Sequence, residues 1–235
     1  MIVLQNVEIG YEKRLFKIDD LSLERGGLYS LIGANGKGKT TFLKTLIGEL
    51  KPLGGDILIG GKNTRDFSRL ERAKSITFVG SKQQDVDFLK VKDYVALGRT
   101  PYTNLIGSSS NRDIEQVSSS LEQLNITHLK DCFINQISDG EKQLAAISKA
   151  IAQETDIIIL DEPTAFLDYA NRLLVLKLLK DIAIKLNKVV LFSSHDIDSI
   201  LELGSEILVL DQSKYKLKLY SSNSLTKKEV IELAF

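Results

Sequence analysis

Leu28-Tyr29-Ser30-Leu31-Ile32-Gly33-Ala34-Asn35-Gly36-Lys37-Gly38-Lys39-Thr40 passes from an apolar strand through a glycine-rich turn into a helix marked by Phe42, Leu43, Leu46, Ile47 and Leu50. Positions 33–40 fit G-x-x-x-x-G-K-[ST], in the strand-turn-helix context that this pattern requires. Glycines let backbone N–H groups curl around phosphate oxygens, and the helix start adds its positive dipole end. Lys39 then reaches the outer phosphates, the Thr40 hydroxyl suits a magnesium ion, and Thr41 continues the set into the helix. The plain alternative is an ordinary glycine turn. Four fixed positions coincide by chance in roughly 1% of chains of this length, before the flanks are required.

Working outward, the first sixty residues read as short strands: 2–9, then Leu21 and Leu23 at period two, 28–32, and 56–59 between Gly54-Gly55 and Gly60-Gly61. After a strand at 75–79, helices take over. Val91, Tyr94 and Val95 mark one. Ile114, Val117, Leu121 and Leu124 mark a second, with Ser110 and Asp113 at capping-box spacing. Leu144, Ile147 and Ile151 mark a third. Apolar runs return at 157–160, 189–192 and 207–210, separated by helical patterns at 172–186 and 196–203. Such alternation predicts an α/β fold with buried parallel strands. Leu217 and Leu219 form a last strand, and Thr226 with Glu229 opens a last helix.

The run Ile157-Ile158-Ile159-Leu160 ends in Asp161-Glu162, and strand ends are where such sheets present ligands. Asp161 can hold magnesium through a water, and Glu162 can act as general base on an attacking water. Acidic residues often end strands for no catalytic reason, so the pair gains its meaning from the phosphate loop. Together they predict a nucleotide hydrolysis site.

Composition sets bounds. The 235 residues are 43% hydrophobic and 26% charged, ordinary for a globular chain of one large or two small domains. With 31 Lys+Arg against 31 Asp+Glu, no net charge draws the chain to a polyanion and no large basic patch stands out. Nucleic acid is therefore not an expected partner. The lone Cys132 excludes an internal disulfide and fits a reducing cytosol. No run reaches the roughly 18 apolar residues of a spanning helix, and residues 1–10 lack the basic start of a secretory signal.

Between the two motifs lies Ile137-Ser138-Asp139-Gly140-Glu141-Lys142-Gln143, which resembles the signature sequence L-S-G-G-[QE]-x-Q of the ATP-binding subunits of ABC transporters. The resemblance covers nearly the whole chain. Further matches fall in family order: Tyr11 for the aromatic that stacks on adenine, Ala165-Phe166-Leu167-Asp168 for the loop after the catalytic glutamate, and His195 for the switch histidine. The resemblance implies a RecA-like P-loop NTPase core with an antiparallel β subdomain and an inserted helical subdomain at about 83–155. Residues 1–235 would form a single ABC ATPase domain. It implies ATP and Mg2+ as ligands, with Glu162 and His195 catalytic and Thr40 and Asp161 on the metal. Tyr11, the loop Gly33, Ala34, Asn35, Gly36, Lys37, Gly38, Lys39, Thr40 and Thr41, and Asp168 would bind nucleotide. Ser138 and Gly140 would contact the γ-phosphate held by a second copy in a head-to-tail homodimer. Leu97-Gly98-Arg99-Thr100-Pro101-Tyr102 resembles a segment of importers of iron chelates, haem and vitamin B12. An importer implies an integral membrane permease, contacted between residues 81 and 102, a substrate-binding protein acting indirectly, and a place on the cytoplasmic face of the membrane.

Three departures stand out. Asp139 replaces a signature glycine and Lys37 fills a loop position that is usually small. Either their charges offset across the dimer interface or Asp139 faces solvent. The glutamine expected after Phe78-Val79 aligns with Ser81, with Gln83 and Gln84 displaced nearby; the resemblance leaves Ser81, Gln83 or Gln84 for the metal-sensing role, and Gln83 joins Thr40 and Asp161 in the implied metal set. Two other classes compete with a transport motor: a non-transport ABC ATPase, and a regulatory ATP-binding module with weak hydrolysis.

Overall fold

In a computed structural model, which describes residues 1–81, 88–103, 110–165, 167–211 and 213–235, eleven strands form one mixed sheet. The strands are β1 (Ile2–Gly10), β2 (Arg14–Ile18), β3 (Leu21–Leu23), β4 (Leu28–Ile32), β5 (Gly54–Ile59), β6 (Lys62–Asn63), β7 (Ile76–Val79), β8 (Ile157–Leu160), β9 (Val189–Ser193), β10 (Glu206–Asp211) and β11 (Lys216–Ser221). Their order is β6-β5-β1-β2-β11-β10-β4-β9-β8-β7, with β3 also on β1. The half from β6 to β2 pairs antiparallel; the run β10-β4-β9-β8-β7 is parallel throughout.

Among the described residues, eight α-helices accompany the sheet: α1 (Lys39–Leu46), α2 (Arg69–Ser75), α3 (Val91–Ala96), α4 (Asn111–Gln123), α5 (Asp139–Ala152), α6 (Tyr169–Lys185), α7 (Ile197–Leu203) and α8 (Lys227–Ala234). Strand pleating divides the core in two. Ile157, Ile159, Val189 and Leu191 join Phe42, Leu43 and Leu46 of α1 on one face. Ile158, Leu160, Val190 and Phe192 join α5, α6 and α7 on the other. Both faces being covered, these strands read as unbroken apolar runs. In α6 the buried residues Val175, Leu176, Leu179, Ile182 and Ala183 form a helical stripe, while Leu174 and Ile184 are exposed.

Several boundaries differ from the sequence reading. Helix α1 ends at Leu46, so Leu50 lies beyond it; Ser75 closes α2 and does not open a strand; and Asp196 caps α7 from outside it. Strands β2 and β6 and helix α2 were not anticipated. The capping boxes at Ser110/Asp113 and Thr226/Glu229 form as expected. Helices α3, α4 and α5 pack on one another, and among the described residues no helix is long and apolar enough to cross a membrane.

Candidate active site

Three neighbouring parallel strands deliver the candidate residues. β4 runs into the glycine turn, β8 ends just before Asp161 and Glu162, and β9 ends two residues before His195. The order β4-β9-β8 sets their C-terminal ends side by side, where open α/β sheets hold ligands.

Glycine shapes the turn. Gly36 and Gly38 have φ of 75° and 104°, conformations that side chains disfavour. A Cβ on Gly38 would stand 3.0 Å from Phe16 Cε1 and 3.1 Å from Leu15 Cδ1, whereas one on Gly36 would meet nothing within 4 Å. Gly38 therefore packs inward and Gly36 borders the open side. A Cβ on Gly33 would stand 3.0 Å from Leu210 Cβ, and the Ala34 N–H donates to the Ala234 carbonyl at 3.1 Å, tying the turn to α8. Asn35 and Lys37 are exposed, and Thr41 is buried at the start of α1. Because Gly38 brings no capping side chain, the first N–H groups of α1 stay available to another acceptor.

Lys39 is only 7% exposed. Its Nζ donates to the Gly33 carbonyl at 2.6 Å, with the Ala34 carbonyl at 3.4 Å and Asn35 Oδ1 at 3.3 Å. Burial pushes this ammonium below the usual lysine range, while the carboxylates of Glu162 and Asp161 pull it back up. Thr40 Oγ1 donates to Asp161 Oδ2 at 2.9 Å. Asp161 is buried, its N–H donates to the Val79 carbonyl at 2.8 Å, and its Oδ1 accepts from the Ser193 hydroxyl at 2.6 Å. Glu162 has a left-handed backbone, φ 48°, and its N–H donates to Ser193 Oγ at 2.8 Å. His195 Nδ1 stands 3.4 Å from Glu162 Oε2, on a side chain 66% exposed.

The structure thus gathers the phosphate loop, Asp161, Glu162 and His195. Other candidates stand apart. Tyr11 is exposed in the turn between β1 and β2. Ser138 caps α5, donating to Glu141 Oε2 at 2.8 Å and accepting from the Glu141 N–H at 3.3 Å. The Ser138 N–H, which donates to Glu141 Oε2 at 2.8 Å, and the Ser138 hydroxyl together hold the Glu141 carboxyl below the ordinary carboxylate range. Ser138 and Gly140 border a hollow with His128, Asn171 and Leu174, whereas Gly36 and Lys37 border a different one with Phe16 and Tyr215. Asp168 caps α6, accepting from the Asn171 N–H at 2.8 Å. Asp139 is 76% exposed and pairs with Lys142 at 3.3 Å, so its carboxylate faces solvent within one chain. Gln83, Gln84 and Phe166 lie outside the described residues. Ser193 was missed. Its only sequence signal is a hydroxyl ending an apolar run, and the register of Phe192 beside Leu160 is what sets it against Asp161.

These donors suit a magnesium nucleotide. The open side of Gly36, the uncapped start of α1 and the buried Lys39 form an anion cradle. The paired oxygens of Thr40 and Asp161 are hard donors of the kind magnesium takes alongside phosphate oxygens and water.

A phosphate loop facing an Asp-Glu strand end across a parallel sheet defines a P-loop nucleotide hydrolase. Within that class, the chain belongs to the ABC transporter family, whose model matches residues 16–165; it is an ABC ATPase. It is 38% identical to an ABC transporter ATP-binding protein of Haemophilus influenzae, over 90% of this chain and 81% of that one. The molybdate import ATP-binding protein MolC of the same organism is 32% identical, over 87% and 76%. An iron chelatin transport ATP-binding protein of Helicobacter pylori is 30% identical, over 96% and 89%. Among solved structures, a metal-chelate type ABC transporter in an inward-facing conformation superposes with a TM-score of 0.84 at 30% identity, covering 99% of this chain and 88% of that one.

Proposed function

We propose that this chain is the ATP-hydrolysing subunit of an importer for a metal chelate of siderophore, haem or cobalamin type. It works as a homodimer on the cytoplasmic face of the membrane against a separate integral permease, which a substrate-binding protein supplies. One observation carries the chemistry: the Thr40–Asp161 contact at 2.9 Å and the Glu162–His195 contact at 3.4 Å lie beside the phosphate loop on adjacent strand ends.

Residues 33–41 hold the phosphates through backbone N–H groups and Lys39, which exchanges loop acceptors for charged phosphate oxygens. Thr40 and Asp161 would hold a magnesium ion, which would supply charge neutralisation at the phosphates. Glu162 takes a proton from the attacking water while His195 keeps that carboxylate and the water in line; the water oxygen bonds to the γ-phosphorus as the bond to the β–γ bridging oxygen breaks, so ADP leaves and inorganic phosphate forms. Tyr11, exposed on its hairpin, stacks on the base. Ser138 and Gly140 border a different hollow from the loop residues Gly36 and Lys37, which supports their service to a second copy's nucleotide. Asp168, the cap of α6, serves as a further nucleotide-binding residue.

The molecule acts as one ATPase domain, residues 1–235, whose helical subdomain spans about 83–155. The permease meets the segment 81–102, where Phe88 is 88% exposed and Leu97 is also exposed. The iron chelatin relative and the metal-chelate type structure support a chelate cargo, while MolC supports an oxyanion. Co-purification from detergent-solubilised membranes, followed by ATP turnover in vesicles with ferric siderophore, haem, cobalamin or molybdate, tests the reading. A polytopic partner and stimulation by one metal chelate are expected. Stimulation by molybdate alone, or no polytopic partner, would overturn it.

A further inference from the structure

Ser193 is the last residue of β9 and has no exposed surface. A hydroxyl in such a place is costly unless it is hydrogen-bonded. Its two partners leave no ambiguity about its proton. The Asp161 carboxylate only accepts, so the hydroxyl donates to Oδ1 at 2.6 Å; the Glu162 N–H only donates, so the hydroxyl oxygen accepts it at 2.8 Å. One side chain on a neighbouring strand thereby grips two consecutive residues of the candidate site.

Each grip has a geometric consequence. Fixing Oδ1 sets the carboxylate plane of Asp161 so that Oδ2 meets Thr40 Oγ1 at 2.9 Å. Holding the Glu162 N–H anchors a left-handed backbone, φ 48°, that a side-chain-bearing residue adopts only when its surroundings enforce it. That turn aims the Glu162 carboxylate out of the sheet toward His195, at 3.4 Å. The register supports the arrangement from behind: Ser193 stands beside Leu31 of β4, and the Ser194 N–H donates to the Leu31 carbonyl at 3.1 Å. The hydroxyl is thus fixed by the same strand that leads into the phosphate loop.

We propose that Ser193 is a positioning residue for ATP hydrolysis, its hydroxyl fixing together the Asp161 carboxylate and the left-handed turn at Glu162. The inference rests on the reading of Glu162 as the base and of Asp161 as the metal-side carboxylate. Ser193 acts through those two residues, the partners of its hydroxyl. Its loss therefore slows the chemical step while leaving the phosphate cradle of residues 33–41 intact.

The test uses the full-length protein and the variants Ser193→Ala, Ser193→Thr and Ser193→Val. Threonine and valine have nearly the same shape and differ in the hydroxyl, so the pair separates hydrogen bonding from packing. Turnover with KM for ATP, ADP affinity without metal by calorimetry, and Mn2+ affinity beside a non-hydrolysable ATP analogue by electron paramagnetic resonance are compared, with thermal melting as the folding control. Ser193→Ala and Ser193→Val should lower kcat and Mn2+ affinity by about 10- to 100-fold, the range for removing a group that orients a ligand. ADP affinity should change by less than about threefold, since its cradle is untouched. Ser193→Thr should recover most of the loss relative to Ser193→Val. Wild-type kcat in Ser193→Ala, or equal losses in the threonine and valine variants, would overturn the proposal. Glu162→Gln is run alongside: if it turned over at the full rate, the base assignment itself would fall, whereas a slow Glu162→Gln with a normal Ser193→Ala would refute the role of Ser193 alone.

Discussion

Arg99→Met should cost this protein several kcal/mol of stability, because Arg99 is the buried knot of its helical region. The side chain is 3% exposed, and it leaves a 3₁₀ turn, Leu97–Tyr102, that follows α3. Its Nε donates to Asp113 Oδ1 at 2.8 Å in the first turn of α4. Its Nη1 donates to the Ala152 carbonyl at 2.6 Å, at the end of α5, and to Glu154 Oε2 at 2.7 Å. The Tyr102 ring lies 4.2 Å from the guanidinium. Methionine keeps much of the length and removes every donor. Breaking a buried ion pair by deleting one partner costs about 3–5 kcal/mol, with the lower half favoured here because Ser110 still donates to Asp113 through its N–H and hydroxyl. For a chain of this size each kcal/mol moves Tm by about 2–4 °C, so a fall of about 6–16 °C is expected in calorimetry at pH 7. Adding Asp113→Asn should restore about 1 kcal/mol or more, since no charge is then left buried without its cation. A Tm within about 2 °C of wild type would mean that Arg99 holds no buried ion pair, because only exposed pairs are worth so little.

Two further outcomes follow from the same geometry. The Asp113 carboxyl is lowered to about 2 by hydrogen bonds from the Ser110 hydroxyl and N–H and from Arg99. A depressed carboxyl stabilises the fold above its unfolded value, so this contribution is intact at neutral pH and disappears as pH falls from about 4 through about 2, amounting to about 2 kcal/mol; acid unfolding of Asp113→Asn should show a shallower slope over that window, and an identical slope would contradict the assignment. Asp139→Gly removes the contact of an exposed carboxylate with the half-buried Lys142 and leaves Ser138 and Gly140 in place, so steady-state turnover should change by less than about fivefold, equivalent to about 1 kcal/mol; activity appearing only in the glycine variant would instead favour a regulatory module.

The phosphate turn was legible because its constraints are local. Two glycines at positive φ, a lysine and a threonine must sit together in sequence to sit together in space. The parallel runs 157–160 and 189–192 were legible because both of their faces are buried. Strand β2 was not: only Phe16 and Ile18 of its five residues are fully buried, and its neighbours come from β1 and β11. Helix α2 has no fully buried residue, so it shows no apolar stripe; the capping spacing of Ser68 and Glu71 was its available signal. Arg99 stood in a segment noticed for its resemblance, yet its partners lie 14, 53 and 55 residues away. Ser193 depends on the register between two strands some thirty residues apart, which no local pattern carries.

If the phosphate loop, Asp161 and Glu162 form an ATP hydrolysis site, Glu162→Gln is the substitution that should arrest it. The amide keeps the shape of the side chain and loses its basicity. Turnover of purified protein with ATP and magnesium, measured beside its elution volume in size-exclusion chromatography, should show hydrolysis slowed by about 100-fold or more. ATP binding should persist and an ATP-stabilised dimer should accumulate. Unchanged turnover in Glu162→Gln, or no ATP-dependent dimer at any concentration, would contradict the account.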